Sequence, residues 1–281
     1  MKIAFLGPET TYTHSAAIKH FGAGADFVPL KTLDDVFASV ELGKSDFGVV
    51  PVENSYEGSV TRTLDLFMDH NLKICAEVII PVSHCIASNA CNSSNACGQK
   101  KETITKIYSH SQALAQCAKY LSKNFPDAEL FSESSTSAAA ERASKEKGAA
   151  AISSELAAEK FSLKVLERNI NDDKENRTRF FVIGKQLSKP SGRDKTMILF
   201  STKNIPGALY KVLGVLAKKK VNMTKIESRP SKKKLWDVVF FVEFEGHAEE
   251  KRVVSALKLV GELCDLLKVL GSYPEKMTIS D

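Results

Sequence analysis

The run Asn176-Arg177-Thr178-Arg179-Phe180-Phe181-Val182-Ile183-Gly184 sets one hydroxyl between two guanidiniums at the mouth of an apolar strand. The polar stretch 171–175 before it has no apolar period and reads as a loop. A loop that delivers polar groups to a rigid strand is a common support for a site, although an edge strand with solvated charges has the same composition. Comparable polar groups recur along the first two thirds of the chain. They are Glu9-Thr10-Thr11-Tyr12-Thr13, Glu53-Asn54-Ser55, Ser109-His110-Ser111-Gln112, Ser134-Ser135-Thr136-Ser137 and Ser153-Ser154. Each follows an apolar run of strand type, and most open a segment of helical spacing. Free N–H groups and the helix dipole favour anions at such helix starts. Plain N-capping explains any one of them. Five together point to an anion-binding cleft beyond the carboxyl ends of parallel strands.

The chain has no GxGxxG or GxxxxGK[ST] loop, so small carboxylates suit the cleft better than dinucleotides or nucleoside triphosphates. Ser109-His110-Ser111 lacks the glycine-flanked turn of a nucleophile, and no Ser–His–Asp or Cys–His order stands out. His14 and His110 are candidate bases, yet a histidine at a strand–helix junction commonly caps the helix. What remains is an enzyme that works by positioning, electrostatics and one proton from a hydroxyl, or a binding protein without chemistry. The six cysteines are scattered and form no CxxC pair. Free thiols in a reducing compartment are therefore expected, with no metal site.

The elements that must hold these groups alternate. Lys2–Gly7, Asp26–Leu30 and Phe47–Val52 read as strands, with helices over Tyr12–Phe21, Thr32–Leu42 and Val60–Met68. Lys73–Ile86 is long and β-rich, is interrupted at Pro81, and is placed to pass from one lobe to another. Ser88–Lys101 has no apolar period and reads as a surface loop. Strands Thr105–Tyr108, Ala128–Phe131 and Ala149–Ile152 then alternate with helices Gln112–Leu121, Thr136–Lys145 and Glu155–Phe161, before an extended Lys164–Ile170. This alternation predicts right-handed βαβ units and parallel sheets in two lobes. After Gln186–Asp194 the pattern changes to strand, helix, strand, strand, helix, strand. Its segments are Thr196–Ser201, Gly207–Ala217, Asn222–Glu227, Trp236–Phe244, Glu249–Leu263 and Leu267–Gly271, the βαββαβ order of a ferredoxin-like sandwich.

A length of 281 residues suits two domains, and 43% hydrophobic with 26% charged residues describes an ordinary globular chain. No apolar run approaches the roughly 18 residues of a membrane span. The first apolar patch stops at Gly7-Pro8, too short for a signal peptide, so a cytoplasmic location and no membrane partner are expected. The net charge of +5 arises in residues 186–281, partly in Lys218-Lys219-Lys220 and Lys232-Lys233-Lys234. Without interleaved aromatics or a groove-reading motif these are solvated turns, and no nucleic-acid partner is expected.

The motifs and their order resemble the prephenate dehydratase family of phenylalanine biosynthesis over essentially the whole chain. The matching segments are Gly7-Pro8-Glu9-Thr10-Thr11-Tyr12-Thr13, Val50-Pro51-Val52-Glu53-Asn54-Ser55 with Gly58, Val60, Thr63, Leu64 and Asp65, and Ser109–Leu114. Ser135-Thr136 with Ala138-Ala139, and Asn176–Phe180, complete the catalytic part. Gly207-Ala208-Leu209 and Glu227-Ser228-Arg229-Pro230 resemble the family's ACT-type regulatory domain. The chain departs from the family pattern at Thr10, where glycine is usual, and at Ser111, where proline is common. The fold so implied is α/β, a two-lobed, periplasmic-binding-protein-like catalytic region with parallel sheets, plus a C-terminal ACT-type domain. Its boundaries are 1–185 for catalysis (lobe one about 1–80 and 165–185, lobe two about 81–164), 186–194 for the linker and 195–281 for regulation.

The resemblance implies a carbon–oxygen lyase that removes water and CO2 from prephenate to give phenylpyruvate, without metal or cofactor. It makes Thr178 the general acid. Arg179 either holds a substrate carboxylate through a bidentate pair or serves the structure. Phe180 and Phe181 desolvate the departing carboxylate. Thr11, Asn54, Ser55, Gln112 and Thr136 position the substrate. L-phenylalanine as effector falls to Gly207, Ala208, Leu209, Glu227, Ser228 and Arg229, with the last three offering charge partners, and pairing through ACT-type domains gives a homodimer or homotetramer. Arogenate dehydratase, which carries out the same chemistry on the aminated substrate, is the nearest alternative; a non-catalytic small-anion binding protein is a more distant one.

Overall fold

The computed structural model describes residues 1–89, 104–231 and 237–276. The expected 88–101 loop lies almost wholly outside these residues, as do Lys232, Lys233 and Lys234. In chain order the first part comprises β1 (Lys2–Leu6), α1 (Tyr12–Phe21), β2 (Asp26–Leu30), α2 (Leu33–Glu41), β3 (Phe47–Asn54), β4 (Gly58–Ser59), α3 (Thr61–Asp69) and β5 (Lys73–Pro81). The second comprises β6 (Cys85–Ser88), β7 (Lys106–His110), α4 (Ser111–Gln116), α5 (Ala118–Asn124), β8 (Glu129–Glu133), α6 (Thr136–Lys145), β9 (Ala149–Ser153), α7 (Glu155–Lys160) and β10 (Lys164–Glu167). The chain then returns as β11 (Arg177–Gly184). It ends in β12 (Asp194–Ser201), α8 (Ala208–Lys218), β13 (Met223–Pro230), β14 (Val238–Glu245), α9 (Lys251–Leu263) and β15 (Leu266–Pro274).

Two sheets result, both mixed rather than parallel. In the first, β11 runs antiparallel to β3 and β5, while β1 pairs in parallel with β2 and β3. In the second, of order β10-β6-β9-β7-β8, β6 is antiparallel to β9 and β10. The reason is the crossing. A chain that enters the second lobe at Val82–His84 without a helix between strands arrives in the opposite sense, and so does the return. Lys164–Glu167 pairs with β6, so this stretch belongs to the second lobe and not to the returning strand. The helix expected over Gln112–Leu121 is two helices with a break at Cys117, because the Asp172 carboxylate accepts Lys119 N (3.0 Å) and Tyr120 N (3.2 Å) and starts α5 afresh.

The period of two along β11 organises the first sheet. Phe181 and Ile183 enter a core with Phe37, Leu64 and Phe67, while Phe180 and Val182 enter the opposite core with Phe5 and Val49. Burying each phenylalanine contributes on the order of 1.5–3 kcal/mol. The C-terminal βαββαβ unit has strand order β13-β14-β12-β15, with α8 and α9 covering one face through Val212, Leu216, Val253 and Val260. Its other face, through Met197, Leu199 and Phe241, joins the Phe181 core. β15 also pairs with β5 at Gly271 and Ile74, which makes one ten-stranded sheet. A Cβ at Gly271 would collide with the Ile74 backbone, so only glycine allows this approach.

Candidate active site

Two segments cross between the sheets and are tied together. Val82 N donates to Asn176 O (2.8 Å), Ile170 N to His84 O (3.1 Å), and the Asn171 side chain bridges Val82 O and His84 N. Beside them lies a cavity of about 270 Å³. Thr11, Tyr12, Asn54, Thr178 and Phe180 line it from one lobe, and His110, Gln112, Ser134, Ser135 and Thr136 from the other, with Val82 and His84 at the crossing. A neighbouring cavity of about 480 Å³, reached by Tyr56 and Lys119, shares Gln112 and Gln116 with it.

The Thr178 hydroxyl is held from behind. Asn54 Nδ2 donates to Thr178 Oγ1 at 3.0 Å and to Asn176 Oδ1 at 2.8 Å, and Asn54 Oδ1 accepts Tyr56 N and Glu57 N, both at 3.0 Å. These backbone donors fix which end of the Asn54 amide faces Thr178. With its oxygen already accepting, the Thr178 hydroxyl has its own proton left to donate. β11 places the hydroxyl at the strand mouth, paired across to Asn54 on one side and Ile80 on the other.

The cavity takes its polarity from helix starts. Thr11 caps α1, where Thr11 Oγ1 accepts His14 N (3.4 Å), and Ser135 caps α6, where Ser135 Oγ accepts Ala138 N (3.0 Å). The first-turn N–H groups beyond each cap have no intrahelical acceptor and favour an anion. His110 caps α4 through a long contact from Gln112 N (3.4 Å). His84 is buried between the Tyr12 hydroxyl (3.0 Å from Nδ1) and Gln116 Oε1 (2.9 Å from Nε2). Burial lowers its pKa, partly opposed by the Gln116 contact. Burial also pushes the Tyr12 phenol far up, so the phenol stays protonated. His14 stacks flat on Phe5 (4.6 Å, 7°) and accepts Thr10 N, away from the cavity.

Of the expected site residues, Thr11, Asn54, Gln112, Thr136, Thr178 and Phe180 meet in this cleft. Ser55 does not line it. Its hydroxyl accepts Arg177 N (2.9 Å) and fastens the loop after β3 to β11. Arg179 turns the other way, because strand alternation puts it on the Phe181 side. Its guanidinium binds Glu77 (2.7 Å) and Glu243, reaches Tyr273 OH (3.3 Å) and lies over the Phe181 ring (5.0 Å). Phe181 lies in the core and desolvates nothing in the cleft. Glu227 and Arg229 are likewise committed: Ser59 Oγ donates to Glu227, and Arg229 binds the buried Asp65 (3.2 Å). They face the catalytic region, whereas Ser228 on the alternate face of β13 is exposed. His84 and Gln116 are the site residues that sequence reasoning did not reach, and it assigned no role to Tyr12 and Asn176 within their motifs.

A family profile described as "Prephenate dehydratase" matches residues 3–188, and one described as "ACT domain" matches residues 196–261. The bifunctional chorismate mutase/prephenate dehydratase of Aquifex aeolicus is 49% identical over 99% of this chain and 74% of its own length. The solved prephenate dehydratase of Arthrobacter aurescens, in complex with L-Phe, superposes with a TM-score of 0.87 at 31% identity, over 98% of this chain and 90% of that one. A protein described as a novel type of quorum-quenching acylase, GqqA, superposes with a TM-score of 0.86 at 30% identity over 98% of both chains. The cleft with its hydroxyl donor and the sheet fused to a βαββαβ unit therefore have a family: the chain belongs to the prephenate dehydratases that carry a C-terminal ACT domain.

Proposed function

We propose that the cleft converts prephenate to phenylpyruvate, water and CO2. The observation that carries this is Asn54 Nδ2 donating to Thr178 Oγ1 at 3.0 Å, from an amide anchored at its other end. The dianion is held at the starts of α1 and α6, with Gln112 and Thr136 contributing polar side chains. Thr178 gives its proton to the departing ring hydroxyl, and the Asn54 N–H steadies the oxygen that it leaves behind. The pair of the breaking C–CO2 bond enters the ring as the C–O bond breaks, so aromatisation drives the loss of both groups. Solvent returns the proton to Thr178, for a net uptake of one proton. Phe180 supplies an apolar wall beside the decarboxylating carbon. An acyl-transfer reading fits this geometry less well. A hydroxyl nucleophile needs a base that takes its proton, and Thr178 Oγ1 faces an amide donor instead.

In this reading residues 1–185 carry the chemistry and 195–281 the regulation, with 186–194 between them. L-phenylalanine is the effector, taken at Gly207, Ala208 and Leu209, where Gly207 has φ 80° at the start of α8, and near the exposed Ser228. Pairing of two C-terminal domains through the edge strand β13, which carries the exposed Ile226, makes a homodimer or homotetramer. A shift of β13 reaches the active site through Lys225 and Glu53 (3.0 Å), next to Asn54. Among the described residues no helix is long and apolar enough to cross a membrane, and the proposed location is cytoplasmic. Purified protein given prephenate should form phenylpyruvate, read by its absorbance in alkali. Phenylalanine formed from arogenate alone would move the chain to the aminated substrate, and no turnover of either would sink the proposal.

A further inference from the structure

Thr10 has φ 69°, a conformation that a β-branched residue rarely adopts, and it is 3% exposed. Such strain persists only where the surroundings over-determine it. Every polar group of the residue is in fact engaged. Its N–H donates to His14 Nδ1 (3.1 Å), and its carbonyl accepts from Ser154 Oγ (2.9 Å). Its hydroxyl lies 2.7 Å from Ser137 Oγ, and both hydroxyls reach Glu9 O. Whichever hydroxyl donates to that carbonyl, the other donates to its partner, so the three oxygens form a closed set.

Those bonds cross the cleft. Thr10 belongs to the loop after β1 in the first lobe, whereas Ser137 and Ser154 stand at the starts of α6 and α7 in the second. Thr10 immediately precedes Thr11, the α1 cap, and Ser137 immediately follows Thr136; Thr11 and Thr136 both line the cavity. Lys160 adds an ion pair to Glu9, but both side chains are largely solvated and this contact is worth little.

We propose that Thr10 and Ser137 are positioning residues, and that their hydroxyl pair fixes the separation of the α1 and α6 starts between which the substrate's charges bind. This rests on the cleft being the dehydratase site. Thr10→Gly separates positioning from stability, because glycine relieves the positive φ while it removes the hydroxyl. Its melting temperature should stay level or rise, while kcat/KM for prephenate falls about five- to tenfold, mostly through KM. Ser137→Ala should show the same loss, Thr10→Ser should restore wild-type kinetics, and the double variant should be no worse than either single one. Unchanged kinetics in Thr10→Gly, or single losses that multiply in the double variant, would overturn the proposal. Hydrogen exchange provides an arm that does not depend on turnover. Ser137→Ala should speed exchange in residues 9–14 of the opposite lobe, and unchanged exchange there would refute the cross-cleft link even if prephenate is not the substrate.

Discussion

Arg179→Met asks whether the guanidinium beside Thr178 serves chemistry or structure. The side chain is 14% exposed, and the Glu77 and Glu243 side chains around it are 1% and 3% exposed. Removing a cation from a buried network costs on the order of 3–5 kcal/mol, because the carboxylates left behind have lost water and partner alike. Lys195 stays 3.9–4.0 Å from both, and Tyr273 OH (2.7 Å) and Thr224 Oγ1 (2.8 Å) still donate to Glu243, so the lower end applies. A loss of about 3 kcal/mol corresponds to about 5 °C of melting temperature in a chain of this size. Thermal unfolding followed by circular dichroism measures it. Adding Glu77→Gln and Glu243→Gln to Arg179→Met should recover much of the loss, since no carboxylate is then stranded. Meanwhile KM for prephenate should stay within about threefold at 25 °C, because β11 is held on both sides by β3 and β5 and Thr178 by Asn54. A shift below about 2 °C together with a tenfold rise in KM would refute the reasoning and return Arg179 to the substrate.

Acidification should destabilise the fold. Burial lowers the pKa of His84, and also of His14 and His20, so the unfolded chain takes up protons near pH 6.5 that the folded chain refuses. Stability is then complete above about pH 6.5 and falls below it, and a melting temperature that is flat or rising from about pH 7.5 to 5 would contradict this. L-phenylalanine at about 100 times its Kd should stabilise the protein by about 2.7 kcal/mol and slow turnover. Gly207→Val, which forces a β-branched side chain to positive φ, should abolish that response, and a full response in the variant would remove the α8 start from the effector site.

Much of the site was legible because it is built from local signals. The caps Thr11, Thr32, Ser135 and Ser154 announce themselves by residue type ahead of helical spacing, and each accepts a first-turn N–H as such residues do. The cleft residues at strand ends followed from that reading. The orientation of Arg179 was available too, since residues of one parity share a face, and Arg179 shares parity with Phe181 rather than with Thr178. The same alternation places Glu227 and Arg229 together, away from Ser228. Asn176 was hidden because a polar residue in a loop gives no sign that it will be buried beneath another amide. His84 was hidden by the break after Pro81, which marks a crossing without showing what packs there. The fusion of two sheets at Gly271 is a pairing between residues almost two hundred positions apart, and no local pattern encodes it.

The central claim is that Thr178 delivers the proton on which dehydration depends. Steady-state turnover of prephenate by Thr178→Val beside the wild type tests it most directly, since valine keeps the β-branched shape and puts a methyl in place of the hydroxyl. The account predicts a fall in kcat of roughly 100- to 10,000-fold, with KM within about threefold. A kcat within about threefold of the wild type would contradict it, and would leave Thr178 as one more polar group lining the cleft.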